Sequence, residues 1–195
     1  MTNPNLILAS SSPFRKELLE RLAVPFTCIS PDIDETPNPG ETPIALVERL
    51  AIEKAQAVAA QFESGLIIGS DQIALHHDQI VGKPLTHENA VIQLKQASGS
   101  VVKLYTGLAL VNAASGAIQS DVVPFATKFK ELSDTQIERY LRKEQPYQCA
   151  GSLKSEGLGI ALLERFEGED PSALIGLPLI RLISMLEIEG FDLFA

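Results

Sequence analysis

Apolar stretches of two kinds alternate along this chain of 195 residues. Short continuous apolar runs predict buried strands, and apolar residues spaced three and four apart predict amphipathic helices. The predicted strands cover residues 5–10, 26–30 and 65–70, and the predicted helices cover residues 13–22, 43–62, 88–97, 133–143 and 175–189. Turn-forming residues at 77–78 and 112–117 interrupt two β-rich segments, 73–81 and 101–129, and so predict two hairpins.

This mixed order of strands and helices predicts an α/β or α+β fold, with helices flanking a mixed β-sheet. The length suits one sizeable domain or two small lobes. Because the chain has neither an internal repeat nor a clear linker, we expect a single domain over residues 1–195.

The first strand and helix are joined by Ser10-Ser11-Ser12-Pro13-Phe14-Arg15-Lys16. Ser12 suits the N-cap of the helix and Pro13 its first turn. The free N–H groups of a helix N-terminus, with Arg15 and Lys16 beside them, would attract a phosphate. Alternatively, this is an ordinary capped helix with two solvated cations.

Carboxylates follow two of the predicted strands. Asp71 follows the apolar run ending at Gly69-Ser70, where it would bind a hard cation or orient a water; alternatively it belongs to a turn. Asp32, Asp34 and Glu35 would help to chelate Mg²⁺ or Mn²⁺, or form a solvated acidic loop.

Lys54 falls on the apolar stripe of the helix predicted over residues 43–62. A lysine facing a core needs a phosphate or a carboxylate as partner, unless its ammonium extends to the edge of the stripe. Weaker signals come from Lys83, between a glycine and a proline, and from residues 149–157, where small residues surround Lys154 and Glu156.

The formal net charge of −9 disfavours binding to a nucleic-acid backbone, so a phosphate-binding site would take a nucleotide. No apolar run reaches the roughly 20 residues that span a bilayer, and residues 1–5 do not resemble a signal peptide. Two distant cysteines suit a reducing compartment, and we expect a cytoplasmic protein. The G-x-S-x-G and G-x-x-x-x-G-K-[ST] motifs are both absent from the sequence.

Together these segments resemble the Maf family of nucleotide pyrophosphatases. The matching pieces, in the family's order, are Ser10–Arg15, Asp34–Thr36, Glu53–Ala55, Gly69–Asp71, Gly82–Pro84, Tyr105–Gly107 and Ala150–Ser152. The resemblance implies hydrolysis of a nucleoside triphosphate to the monophosphate and diphosphate with Mg²⁺, Mn²⁺ or Co²⁺. It also implies an elongated, inosine-triphosphatase-like mixed sheet with two lobes and a central cleft, cytoplasmic removal of unwanted nucleotides, and a homodimer.

The resemblance also implies a role for each matching residue. Asp71 would be the proton acceptor, and Glu35 and Asp71 would hold the metal. The triphosphate would be bound by Ser10, Arg15, Lys16, Lys54 and Lys83. No membrane or nucleic-acid partner is implied.

Three positions distinguish subfamilies, namely Phe14, Gln72 and Glu156. The thymidine and uridine triphosphate enzymes typically carry Arg, Thr and Gln there, so this chain is more similar to the 7-methyl-GTP pyrophosphatases, which usually have Trp in place of Phe14. A cationic 7-methylguanine ring would gain roughly 0.5–2 kcal/mol over an aromatic face. Alternatively, Phe14 packs in the core and Glu156 pairs with Lys154. The other functions left open are a dTTP or UTP pyrophosphatase, and a non-catalytic nucleotide sensor that regulates cell division.

Overall fold

The computed structural model describes residues 3–195, so the first two residues of the predicted domain lie outside the described residues. The helices are α1 (Pro13–Glu20), α2 (Pro43–Ala59), α3 (His87–Ala97), α4 (Asp134–Glu144) and α5 (Leu179–Ile188). The strands are β1 (Leu6–Ala9), β2 (Phe26–Ile29), β3 (Leu66–His76), β4 (Gln79–Val81), β5 (Val101–Asn112), β6 (Ile118–Phe129) and β7 (Leu163–Glu167). Short 3₁₀ helices cover Ala150–Ser152, Leu158–Leu162 and Pro171–Ile175.

The strands form one mixed sheet in the order β2-β1-β3-β5-β6-β7, with β4 paired to β3. Strand β1 runs parallel to both β2 and β3, whereas the β3–β4 and β6–β7 pairs are antiparallel. The hairpin predicted around His77 and Asp78 is present, and both residues have the positive φ that a tight hairpin turn requires. The predicted mixed sheet with flanking helices is thus confirmed.

The chain forms two compact units, as the resemblance implied for its lobes. Unit 1 consists of residues 1–72, 105–123 and 170–195, and unit 2 of residues 73–104 and 124–169. The chain therefore crosses from one unit to the other within β3, within β5, within β6 and in the segment that follows β7.

Unit 1 has two hydrophobic cores because successive strand residues point to opposite faces of a sheet. In one core, Leu6 and Leu8 of β1 pack with residues of α1 and α5, including Leu18, Leu19 and Leu182. The other core consists of small and β-branched residues of the sheet and α2: Ile7, Ala9, Ala51, Ala55, Val58, Ile67, Ala109 and Val111.

Glycines allow α2 to lie directly on the sheet. A Cβ on Gly69 of β3 would be 2.0 Å from the carbonyl oxygen of Ala51, and one on Gly107 of β5 would be 2.1 Å from that of Val47. Neither distance is possible between non-bonded atoms, so only glycine fits at these two positions.

In unit 2, helix α3 packs against α4 and against the 3₁₀ helix Ala150–Ser152. Ser133 caps the N-terminus of helix α4 and forms a reciprocal capping box with Gln136. The buried side of α4 is formed by Ile137, Tyr140 and Leu141.

Three elements differ from the sequence-based expectations. Strand β3 continues to His76, so Asp71 lies inside a strand and not after one. Helix α5 begins only at Leu179, because Gly176 is left-handed and Pro178 occupies the N-cap. The edge strand β7 was not predicted, since its mostly charged, exposed residues show no apolar run.

Within residues 3–195, no helix has both the length and the apolar character needed to cross a membrane.

Candidate active site

The loop between β1 and α1 is organised by two serine side chains of unit 1. The Ser10 hydroxyl is buried and accepts a hydrogen bond from the Ser12 amide at 3.1 Å. The Ser12 hydroxyl accepts from the Arg15 amide at 3.4 Å, and Pro13 occupies the first turn. The predicted cap of α1 is therefore confirmed, and its hydrogen bond holds the backbone of Arg15 in the first turn of the helix.

Arg15 is anchored by its Nε, which donates to the carbonyl oxygen of Gly176 at 2.9 Å. Burial lowers the pKa of this guanidinium below its ordinary value, while the charges of Asp71 and Glu35 oppose the shift. A guanidinium with its Nε engaged still presents two terminal amino groups in a planar fork, the geometry that matches a phosphate.

Lys54, Asp71 and Glu35 form an ion-paired cluster. The Lys54 Nζ donates to Asp71 Oδ1 at 2.7 Å and lies 2.8 Å from Glu35 Oε1. The Lys54 side chain is only 7% exposed and that of Asp71 14%, whereas that of Glu35 is 59% exposed. The prediction that Lys54 needs a partner is confirmed, and the partners are two carboxylates.

The end of β1 explains why Asp71 is accessible inside a strand. The parallel pairing of β1 with β3 stops at Ala9 and Gly69, and Asp71 comes two residues later. Gly69 also leaves room for the backbone of α2, the helix that carries Lys54.

Ser70 and the Gly176 carbonyl were not predicted as site residues. The Ser70 hydroxyl is fully buried and lies 2.9 Å from the carbonyl oxygens of both Gly107 and Gly176. The Gly176 carbonyl therefore joins Ser70 and Arg15, which are far apart in sequence. A lone serine before Asp71 gives no sequence signal for such a contact.

The side-chain amide nitrogen of Gln72 donates hydrogen bonds within unit 1. Its Nε2 donates to the carbonyls of Ala173 and Leu174 at 2.6 and 3.2 Å, and to the Thr106 hydroxyl at 3.0 Å. Thr106 in turn donates to the Ala173 carbonyl at 2.9 Å. These contacts fix the backbone before Gly176 and so support the anchor of Arg15.

Phe14 and Lys16 are placed differently on α1. Phe14 is half-buried, whereas Lys16 is exposed and forms a loose surface pair with Glu20 at 3.7 Å. Such exposed pairs contribute little to stability, so Lys16 is free to exchange this partner for another anion.

Lys83 and Glu156 belong to unit 2, and both are exposed. Lys154 pairs with Glu144 at 2.8 Å, so the alternative in which it neutralises Glu156 is not what the structure shows. Glu144 also accepts from the Leu158 amide at 2.7 Å, and these two contacts lower its pKa below the ordinary value. Glu144 thus holds the turn that carries Glu156, a role the sequence did not reveal.

Cys149 is unsuited to nucleophilic catalysis. Burial and the nearby charge of Glu156 raise the pKa of its thiol to about 11. A thiol with that pKa is almost wholly protonated at neutral pH, and the thiolate is the reactive form.

A metal ion fits the chemistry of the carboxylates in unit 1. No group of three or more His, Cys, Asp or Glu residues suited to a metal exists in the described part of the chain. Mg²⁺, however, is commonly held by one or two carboxylates, with water and substrate phosphates completing its coordination. Glu35 and Asp71 provide such a pair of carboxylates, and one oxygen of each forms an ion pair with Lys54.

Comparisons with known proteins agree with the sequence motifs. The family model described as "Maf-like protein" matches residues 5–189. A protein of Nitrosococcus oceani named 7-methyl-GTP pyrophosphatase is 56% identical over 188 residues, which cover 96% of this chain and 94% of that relative. A solved structure of the Staphylococcus aureus Ham1 protein has a TM-score of 0.43 and 17% identity, covering 67% of this chain and 72% of Ham1. From the family match and the 56% identity, the chain belongs to the Maf-like protein family.

Proposed function

We propose that this chain hydrolyses 7-methyl-GTP to 7-methyl-GMP and diphosphate. The observation that carries the proposal is the cluster of unit 1, in which a buried lysine orients two carboxylates near an anchored arginine. The 56% identity to a relative named for this activity supports the choice of substrate.

Asp71 is the proposed proton acceptor. Its Oδ1 is held by Lys54, which leaves Oδ2 to take a proton from the water that cleaves the bond between the α- and β-phosphates. Lys54 acts on the reaction by fixing the direction of this carboxylate. A base in a fixed position is what general-base catalysis requires.

The proposed binding of the triphosphate depends on charge. The formal charges of Lys54 and Arg15 are balanced by those of Asp71 and Glu35, so the cluster itself is close to neutral. A triphosphate therefore needs further positive charge, which Lys16 and Lys83 would supply, with Ser10 as a polar contact. The full set of proposed phosphate ligands is Ser10, Arg15, Lys16, Lys54 and Lys83.

A divalent cation held by Glu35 and Asp71 is part of the proposal. When bound, it would neutralise charge on the phosphate oxygens. Carboxylate oxygens are possible ligands of Mg²⁺, Mn²⁺ and Co²⁺, and we propose no preference among the three.

Base selection is proposed to rest on Phe14 and Glu156, with Gln72 in a supporting role. Glu156 is exposed and its neighbour Lys154 is already paired, so its carboxylate is available to accept from guanine N–H groups. A negative carboxylate and an aromatic face both favour the positive ring of 7-methylguanine. Gln72, whose amide nitrogen is engaged by backbone carbonyls, acts through the position of residues 173–174.

The substrate prediction is tested with a nucleotide panel. Purified protein with Mg²⁺, Mn²⁺ or Co²⁺ should release diphosphate from 7-methyl-GTP at a higher kcat/KM than from GTP, dTTP or UTP. A preference for dTTP or UTP would instead assign the chain to the dTTP/UTP pyrophosphatases. Binding without turnover under every metal condition would instead support a nucleotide sensor.

Glu156→Gln tests base selection separately. Loss of a charge-assisted hydrogen bond to the base should reduce the kcat/KM ratio of 7-methyl-GTP over UTP by about tenfold or more. Glu88→Gln, at another exposed position of unit 2, is the matched control and should leave the ratio unchanged. An unaltered ratio in Glu156→Gln would remove this residue from base selection.

We propose a small-molecule nucleotide as the partner, a cytoplasmic location and a homodimer, and mass measurement in solution would test the last of these.

A further inference from the structure

We propose that Gln93 of α3 is a positioning residue that couples the Lys83 loop to the turn carrying Glu156. The inference rests on the proposed function, because it assumes that Lys83 binds phosphates and that Glu156 reads the base. Gln93 itself touches neither the substrate nor the reacting atoms.

The side chain of Gln93 connects two segments of unit 2. Its Nε2 donates to the carbonyl oxygen of Gly82 at 3.0 Å, and its Oε1 accepts from the Ser152 hydroxyl at 2.6 Å. The Gly151 amide donates to the same Gly82 carbonyl at 3.2 Å. One amide thus links the residue before Lys83 with the small-residue segment before Glu156.

The chemistry of the two contacts allows only one orientation of the amide. The Gly82 carbonyl can only accept, so it requires the nitrogen of Gln93. The Ser152 hydroxyl then donates to the remaining oxygen. Both ends of Gln93 are therefore used, and a side chain with a single polar function cannot replace both contacts.

A shift of Ser152 would be transmitted toward Glu156. Ser152 is fully buried and has a left-handed backbone with φ of 58°, so it has little freedom to adjust. The Tyr140 hydroxyl donates to the Ser152 carbonyl at 3.1 Å and accepts from the Lys154 amide at 3.0 Å. Gln93, Ser152 and Tyr140 form a continuous path of hydrogen bonds to the start of the turn.

Gln93→Ala removes both contacts at once. Because the affected residues bind substrate at both ends, we expect KM for 7-methyl-GTP to rise by about tenfold while kcat stays within about twofold. Gln96→Ala is the matched control, since Gln96 is exposed on the same helix, and it should leave both constants unchanged.

Two further variants separate the contacts. Gln93→Glu keeps an acceptor for Ser152 but loses the donor to Gly82, so inhibition by added diphosphate should weaken while the selectivity for 7-methyl-GTP over UTP is kept. Ser152→Ala keeps the Gly82 contact and should lower that selectivity while leaving inhibition by diphosphate intact. These opposite patterns would not arise from a general loss of stability.

Amide hydrogen exchange tests the inference without turnover. In Gln93→Ala, exchange at Gly151 should accelerate, while the Leu158 amide, which Glu144 holds, serves as the unaffected reference. Wild-type protein that releases no diphosphate would refute the proposed function, and the exchange result would still decide whether Gln93 orders this segment. The inference would be overturned if Gln93→Ala matched Gln96→Ala in both hydrogen exchange and kinetics. It would also be overturned if Gln93→Ala lowered kcat alone.

Discussion

Asp71→Asn should reduce kcat for 7-methyl-GTP hydrolysis by about 10²–10⁴-fold, the usual contribution of a general base. Asparagine has nearly the same shape, and its oxygen can still accept from Lys54, which contacts Asp71 at 2.7 Å. The variant therefore keeps the arrangement of the cluster but cannot accept a proton. Steady-state release of diphosphate, measured alongside a thermal melt, gives the result.

Metal titration distinguishes a base from a metal ligand at this position. If Asp71 is the base, raising the Mg²⁺ or Mn²⁺ concentration should not restore Asp71→Asn, whereas it should partly restore Glu35→Gln. Asp78→Asn, in the exposed turn between β3 and β4, is the matched control and should retain full activity. Full activity in Asp71→Asn, or complete rescue by metal, would contradict its assignment as the base.

Local sequence signals predicted those parts of the molecule that depend on neighbouring residues. The Ser12 cap and the turn at His77 and Asp78 each depend on hydrogen bonds or φ values within a few residues. The predictions of these features were correct because the residue type alone nearly determines the local geometry. The placement of Lys54 on an apolar stripe could likewise be recognised in the sequence, and it correctly indicated that this lysine has a carboxylate partner.

Features that depend on distant chain segments were not predictable in this way. The apolar run before Asp71 indicated where β3 begins, but its end depends on pairing with β4 and β5. The anchor of Arg15 is a backbone carbonyl of Gly176, and a carbonyl carries no sequence signal. The role of Glu144 was not predictable either. It pairs with Lys154, but Glu156 is the acidic residue closer to Lys154 in the sequence.

The clearest case is Gln72, which the resemblance assigned to substrate specificity. In the structure its amide nitrogen is surrounded by acceptors on residues 106, 173 and 174. The amide nitrogen of Gln72 is therefore engaged by the protein itself, and the residue type alone did not reveal these partners.

Gly69→Ala should strongly destabilise the protein, lowering the free energy of unfolding by about 3 kcal/mol or more, at the upper end of overpacking substitutions. The added methyl would lie 2.0 Å from the Ala51 carbonyl oxygen and 2.9 Å from the Ala55 Cβ. These are atoms of the α2 backbone and of a short side chain, which cannot rotate away. For a chain of this size, such a change corresponds to a fall in melting temperature of roughly 6–12 °C.

The same substitution should also impair catalysis, because relief of the clash moves α2 and with it Lys54. Gly82→Ala is the control for stability, since no atom lies within 4 Å of a Cβ added there. Denaturant unfolding of both variants, with kcat measured for Gly69→Ala below its unfolding transition, separates the two effects. An unchanged midpoint in Gly69→Ala would show that α2 tolerates displacement. Wild-type kcat in a destabilised Gly69→Ala would show that the contact between Lys54 and Asp71 survives that displacement.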